Sequence, residues 1–594
     1  MWHSLQAVVV RPRLCATRGK ILWNNVRTLD WIVFFGWLTF LVSYGLYRGR
    51  GSSNVAQYLL AGKTMPWYAM GLSIMATQAS AITFVSTTGQ GYVDGMRFVQ
   101  FYFGLPVAMV ILSATAVPIF HRARVFTAYE YLEQRFDAKT RALVGVIFLI
   151  ERGLASGIAL YAPAVVLSVV VGWPDRLTTI IMGVLVVLYT ASGGIKAVTW
   201  ADVQQMMMIL AALLLSLGIA ISLLPGDVSF LSAVRLAGAA GRLNAVDLHF
   251  DWNNRYNVWS GLIGGTFLSL AYFGTDQSQV QRYLTGRSIA QSRLSLLFNA
   301  MAKIPMQAFI LFIGTMVFAV HLFVPPPAIF QPVEAKHAAQ SPAWPAQEAR
   351  YQQAFAQRRD ASYAFVKSQP DTRPARLEEF RAAQTRFDAV RKQGLDLAAH
   401  LEGAKELNDT NYIFLSFVKT HMPLGVVGLL IAVIFTASMS STAGEINSLA
   451  AVTVIDIYRR FFKRDATDRH YLWASRLCSV FWGAYAVTFA ATGSRGFGAL
   501  IERVNIVGSL FYGGMLGAFV LAFGFRRVGG TAAFCAIIAG ELTIFYAAAF
   551  TKTSFLWYNP IGCVVVVAVG LILARFFPAG KAPGTAAPER TALP

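Results

Sequence analysis

From Phe435 to Ile457 the chain reads FTASMSSTAGEINSLAAVTVIDI, an apolar helix candidate interrupted by the hydroxyls of Ser438, Ser440, Ser441 and Thr442, with Glu445 just beyond. Small hydroxyl residues in such a helix either let backbones approach closely or present oxygens to an ion. A hard monovalent cation such as Na+ takes oxygen ligands, and neighbouring serine hydroxyls plus freed backbone carbonyls supply them. Two carboxylates fall inside apolar runs. Asp202 is one, and a carboxylate within a membrane span is functional by default unless Lys196 pairs with it. Glu445 is the other. It either titrates and brings in proton coupling, or pairs with a basic residue of a neighbouring span such as Arg476 or Arg503.

The elements that must hold these residues are membrane helices. The 594 residues are 56% hydrophobic and 14% charged, with mean hydropathy +0.51. A soluble protein is about 25% charged, so this is an all-α polytopic membrane protein. About 13 apolar stretches long enough to span recur, near 29–48, 66–90, 97–121, 140–171, 175–193, 198–224, 257–280, 290–323, 423–456, 470–493, 498–524, 529–550 and 556–576.

The net charge of +21 would suit a nucleic-acid binder, but its distribution does not. Basic residues sit in alternate loops, including Arg48, Arg50 and Lys63, then Arg122, Arg124 and Arg135, then Arg459, Arg460, Lys463 and Arg464. The positive-inside rule makes that side cytoplasmic, with the N-terminus outside and the C-terminus inside. Arg11, Arg13, Arg18, Lys20 and Arg27 run against this topology, as a later true start would explain. No convincing signal peptide precedes them. The lipid bilayer expected is a bacterial inner (plasma) membrane. Cys15, Cys478, Cys535 and Cys563 are scattered and form neither a disulfide framework nor a metal pattern. The eight histidines do not cluster, and no Ser-His-Asp order or phosphate loop stands out, so the chain is not read as an enzyme and calls for no organic cofactor.

Residues 324–421 form a long polar insertion on the outer side. Two charged segments, about 346–367 and 375–404, flank SQPDTRP, and Pro370 and Pro374 do not belong inside a helix, so a helical hairpin is expected. It would be decoration, a lid, or a surface where a partner docks.

Five segments now converge: TAYEYLEQRF (127–136), LYAPAVVL (160–167), GGIKAVTWADVQQ (193–205), YFGTDQSQVQRYL (272–284) and the serine-rich stretch above. Together they resemble the sodium:solute symporter family, and LYAPA, QVQRYL and STAGEINSLAAVTV look most like its iodide, monocarboxylate and multivitamin branch. The resemblance implies a LeuT-type inverted 5+5 helix repeat, with the first helix of each repeat broken at the midplane. The organisation would be a tail (1–28), a peripheral helix (29–48), a first repeat (49–224), a second repeat (257–323 and 423–524) interrupted by the insertion (324–421), two peripheral helices (529–576) and a cytoplasmic tail (577–594).

The same resemblance implies a sodium site built from the carbonyls of Ala76, Ala79 and Ala437 and the hydroxyls of Ser440 and Ser441, with Asp202 linked to it. Members with a second sodium site carry further hydroxyls one turn on. Here Ala443, Gly444 and Glu445 stand there, so one coupling Na+ is expected. The substrate cavity would include Thr83, Phe101, Tyr102 and Tyr272. That lining is aromatic, with no obvious carboxylate to receive sugar hydroxyls, and suits a small organic anion such as a monocarboxylate. Alternatives are a Na+-coupled sugar or sialic acid symporter, a proton-coupled carrier, and a transporter-like sensor.

Overall fold

Hydrocarbon offers no partner for a backbone amide, so long apolar runs fold as helices that satisfy themselves. The computed structural model describes residues 28–49, 61–79, 83–125, 127–171, 174–190, 195–401, 403, 406–423, 425–493 and 500–578. The expected tail 1–28 lies outside them except for Thr28, and the tail 577–594 except for its first two residues.

The helices are α1 (Thr28–Gly49), α2 (Trp67–Gln78), α3 (Thr83–Val93), α4 (Gly95–Ala123), α5 (Ala128–Arg135), α6 (Ala138–Val171), α7 (Asp175–Thr190) and α8 (Ile195–Ser222). They continue as α9 (Phe230–Ala239), α10 (Ser260–Gly274), α11 (Gln277–Leu284), α12 (Ile289–Val320), α13 (Pro332–Ala339), α14 (Trp344–Val366), α15 (Arg373–Leu401) and α16 (Thr410–His421). The last are α17 (Val426–Phe462), α18 (Asp468–Gly493), α19 (Leu500–Gly524), α20 (Gly530–Phe550) and α21 (Phe555–Leu573). Among the described residues, eight helices are long and apolar enough to cross a membrane, or nine if the pair α2–α3, bent by 62°, is one span.

Both breaks follow from local chemistry. At the end of α2, Ala79 leaves helical geometry while its N–H still donates to Met75 O, 2.7 Å away. Thr83 Oγ1 donates to Gln78 O across the gap, at 2.5 Å. At the second break, α10 stops at Gly274 and Asp276 starts α11, its carboxylate accepting from the Ser278 N–H at 2.8 Å. Glycine then lets α3 seat deeply. A Cβ on Gly91 would lie 2.3 Å from Leu311 O of α12, and one on Gly89 would lie 2.1 Å from Thr410 O of α16.

Ion pairs fasten the basic end of the bundle. Arg141 on α6 bonds Asp456 of α17 through Nε at 2.7 Å and Glu133 of α5 through Nη1 at 2.7 Å. Arg460 reaches the same Glu133 at 2.6 Å. Burial alone would raise the Glu133 pKa, but hydrogen bonds from Arg141 and Arg460 outweigh it and hold the carboxyl below its usual range. Peripheral α1 also has a structural task. Its buried Asp30 accepts from the N–H groups of Gly425 and Gly428, at 2.7 and 3.0 Å, at the start of α17.

The 324–421 segment is not one projecting arm. Helices α14 and α15 pair, with Pro374 in the first turn of α15, where proline's missing N–H costs no helical bond. Helix α16, however, is buried almost throughout and packs on α3 and α6, because TNYIFLSFVKTH is too short to span yet too apolar to stay in water. The paired helices are clamped to the body. Arg358 donates to His321 O at 2.7 Å while its guanidinium lies 3.5 Å from the Phe387 ring centre. Arg391 bonds both oxygens of Asp409 at 2.7 Å, and Asp409 also takes the Phe330 N–H at 2.7 Å. Breaking one side of such a buried pair costs about 3 to 5 kcal/mol. Arg391→Ala is therefore expected to loosen the pair from its base, raising amide hydrogen exchange across 344–401 by about tenfold or more while the bundle is unchanged. Unaltered exchange there would show that the clamp lies elsewhere.

Candidate functional site

Helix α17 lies against the first break. Ser441 Oγ donates to Thr77 O, 3.4 Å away at the end of α2, and Ala76, Ala79 and Ala437 are buried around this junction. The Ser440 side chain lies outside the described residues. Ser438 turns elsewhere, to Ala159 O at 3.4 Å. Among the described residues, the buried Gln78 Oε1 and Thr442 Oγ1 have no hydrogen-bond partner. Hydroxyl, carbonyl and amide oxygens, without formal charge, are the donor set that a monovalent hard cation accepts and can leave, so the residues fit Na+. Among the described residues no group of His, Cys, Asp and Glu gathers as a site for another metal.

Asp202 sits one layer behind. Its Oδ2 accepts from Ser73 Oγ on α2 at 2.6 Å and from Arg282 Nη1 on α11 at 2.6 Å. The basic partner is thus Arg282 from the second repeat, not Lys196 from the same helix. The triad joins the two broken helices to α8. Gln205, on α8 as well, donates to Thr436 O of α17 at 3.1 Å.

A cavity of about 110 Å³ opens beside the break. Thr83, Phe101, Tyr102 and Tyr272 line it together, with Ser441, Arg152 and Glu445. Tyr272 is held by Gln279 Nε2, which donates to its hydroxyl at 2.8 Å. Bringing these residues together takes five helices, α3, α4, α6, α10 and α17, so no local motif could have displayed the wall as a unit.

Glu445 departs from the expected arrangement. Its partner is Arg152 of α6, at 3.3 Å, rather than Arg476 or Arg503, and its carboxylate faces the cavity, which therefore does hold an acidic group. Arg152 is the hub that the sequence reading missed. It donates to Tyr512 OH at 2.6 Å, pairs with Asp276 at the second break and lies 3.5 Å from Glu151. Tyr512 OH in turn donates to Asp276 Oδ2 at 3.2 Å. All of these side chains are buried or nearly so. The signal was present, since Glu151, Arg152 and Asp276 are ionisable residues within apolar spans, which marks function as surely as it did for Asp202.

The hub therefore ties the cavity to the second break, while the Asp202 triad joins α2 and α11 through α8. Occupying the cavity or the sodium-type site bears on the same pair of broken helices, and an arrangement of this kind can make the binding of one solute depend on another.

The chain is similar to known sodium-coupled carriers along most of its length. The model of the sodium:solute symporter family matches residues 58–343 and 399–540. The sodium/sialic acid symporter NanT of Aliivibrio fischeri is 26% identical over 556 residues, which is 93% of this chain and 94% of that protein. Human sodium-coupled monocarboxylate transporter 1 is 27% identical over 495 residues, 83% of this chain and 68% of that one. A solved structure of a Na+-coupled sialic acid symporter, substrate-bound and outward-open, has the same fold, with TM-score 0.71 and 22% identity over 94% of this chain and all of that one.

Proposed function

The chain belongs to the sodium:solute symporter family, and from that premise we propose that it carries a small organic anion, favoured a monocarboxylate, together with one Na+. Like the relatives it matches, it is an integral membrane Na+-coupled symporter and not an enzyme. The observation that carries the anion reading is Arg152, a guanidinium opening onto a cavity walled by Phe101, Tyr102 and Tyr272. A carboxylate that enters exchanges for Glu445, the longest of the hydrogen bonds Arg152 makes in the hub, at 3.3 Å. Size favours a short acid. A protein cavity of about 150 Å³ accommodates a benzene ring, and this one is about 110 Å³.

One coupling ion is supported by what stands one turn past Ser441. A Cβ on Gly444 would lie 3.1 Å from Arg282 Nη2, and Glu445 already faces Arg152, so cationic side chains occupy the turn where a second Na+ would need ligands. In the working cycle Na+ joins α17 to the end of α2, which organises the adjoining cavity. Bound substrate then lets the outer side close, because the ion has different affinities for the two states.

Sialic acid is the second reading. It too bears a carboxylate, its hydroxyls would find an acceptor in Glu445, and the NanT relative aligns over nearly the whole chain. Proteoliposomes given a Na+ gradient separate the two. Accumulation of labelled lactate or pyruvate, abolished by K+ in place of Na+, is the expected result. Accumulation of sialic acid alone would establish the second reading, and a neutral sugar alone would remove both. Uptake that follows a pH gradient without Na+ would remove sodium coupling.

A further inference from the structure

Glu541 lies midway along α20, one of the helices long and apolar enough to cross the membrane. The residue is 8% exposed. Both carboxyl oxygens are buried with no hydrogen-bond partner among the described residues. The head group rests on the bare backbone of α19, since a Cβ added to Gly514 would lie 2.0 Å from Glu541 Oε1. An ionised carboxylate here would have neither a counter-charge nor an N–H donor among the described residues, whereas the protonated acid escapes most of that penalty.

The neighbouring helices supply no compensating group. On α19, Glu502 pairs with Arg255, Arg503 makes an interaction of its own, and the Tyr512 hydroxyl is engaged by Arg152 and Asp276. On α21 the titratable residues are Tyr558 and Cys563. On α6, Lys139 reaches Asp137 and Thr531, Arg141 reaches Asp456, and Glu151 and Arg152 face the hub. None of these is paired with Glu541.

Gly514 is two residues from Tyr512, which lines the cavity, so the two lie within one turn of α19. Because both residues ride on α19, a shift of that helix that displaced Tyr512 would displace Gly514 against Glu541 as well. We propose that Glu541 is a proton-binding site that senses the position of α19. The carboxyl carries a proton while α19 packs on α20 and gives it up when the helix withdraws and water enters. By linkage, the packed arrangement holds one proton more than the withdrawn one, so rising pH favours withdrawal.

The test uses the full chain in detergent and needs no substrate. An acid kept protonated in the fold but ionised in the unfolded chain lowers stability increasingly as pH rises above its unfolded value, about 4.3. Glu541→Gln removes that dependence. The melting temperature of E541Q should exceed that of the wild type by a margin that widens from about pH 5 to about pH 8. A margin constant across this range overturns the proposal. Where E541Q does not fold, the wild type is treated with dicyclohexylcarbodiimide, which adds to protonated carboxyls, and mapped by mass spectrometry. Modification of Glu541 that persists at about pH 8, where the glutamate of a short reference peptide no longer reacts, supports the site. Reactivity lost in parallel with that peptide overturns it.

Discussion

Arg152→Ala is expected to abolish Na+-driven uptake and to lower the melting temperature in Na+ and K+ alike. The guanidinium bonds Tyr512 at 2.6 Å and Glu445 at 3.3 Å, pairs with Asp276, and has Glu151 beside it. Its loss leaves three carboxylates facing one another in a buried space. Removing one partner of such a set costs about 3 to 5 kcal/mol, which is about a hundredfold or more in any equilibrium that depends on it. Arg152→Lys separates the two roles. The ammonium keeps the charge but not the planar fork that holds Tyr512 and an incoming carboxylate together. The Arg152→Lys protein should therefore regain thermal stability and remain defective in uptake, with the larger change in half-saturating substrate. Wild-type affinity in that variant would show that the guanidinium does not meet the substrate.

Ser441→Ala is expected to raise the half-saturating Na+ concentration by about tenfold to a hundredfold. An oxygen that faces a charged partner contributes about 1.5 to 3 kcal/mol, and each 1.4 kcal/mol is a factor of ten. The direct readout is melting temperature in Na+ against K+, because an ion that binds only the folded chain stabilises it. Wild-type protein should be stabilised by Na+, and Ser441→Ala should lose most of that gain at the same concentration. Ser438→Ala is the matched control. Ser438 faces Ala159 O rather than the break, so the same deletion of one hydroxyl should leave the sodium response intact. Equal loss in both variants would mean that the serines serve helix packing. Indifference of the wild type to the ion would favour a proton-driven carrier or a sensor.

Much of the framework was readable because membrane helices advertise themselves by length and apolarity. The first break came only from the family resemblance, because small residues there read equally well as helix packing; in the structure Ser441 Oγ lies 3.4 Å from Thr77 O at its edge. Thr83, Phe101, Tyr102 and Tyr272 share one wall although they come from three helices. Pairing was harder to read. Glu445 and Arg152 are 293 positions apart, and Arg152 and Tyr512 are 360 apart. Which acid meets which base is decided by helix packing, not by sequence proximity, so Arg476 and Arg503 were attractive only as neighbours along the chain. Helix α16 escaped for a different reason. Its apolar run of 12 residues is shorter than a span and follows a charged hairpin, so composition assigned it to the polar insertion. Its burial depends on Gly89 leaving room for Thr410, a fit that no property of either segment alone reveals.

The pairing of Asp202 with Arg282 has an electrical consequence. The acid behind the sodium-type site is already neutralised, so the ion enters surroundings with no net formal charge from that pair. On the proposed stoichiometry of one Na+ and one monoanion, the loaded carrier would move no net charge. A membrane voltage acts on moved charge at about 2.3 kcal/mol per elementary charge per 100 mV, and here that lever has nothing to pull on. The ceiling on solute accumulation is then set by the sodium concentration ratio alone, and the carrier would serve a cell equally well polarised or at rest.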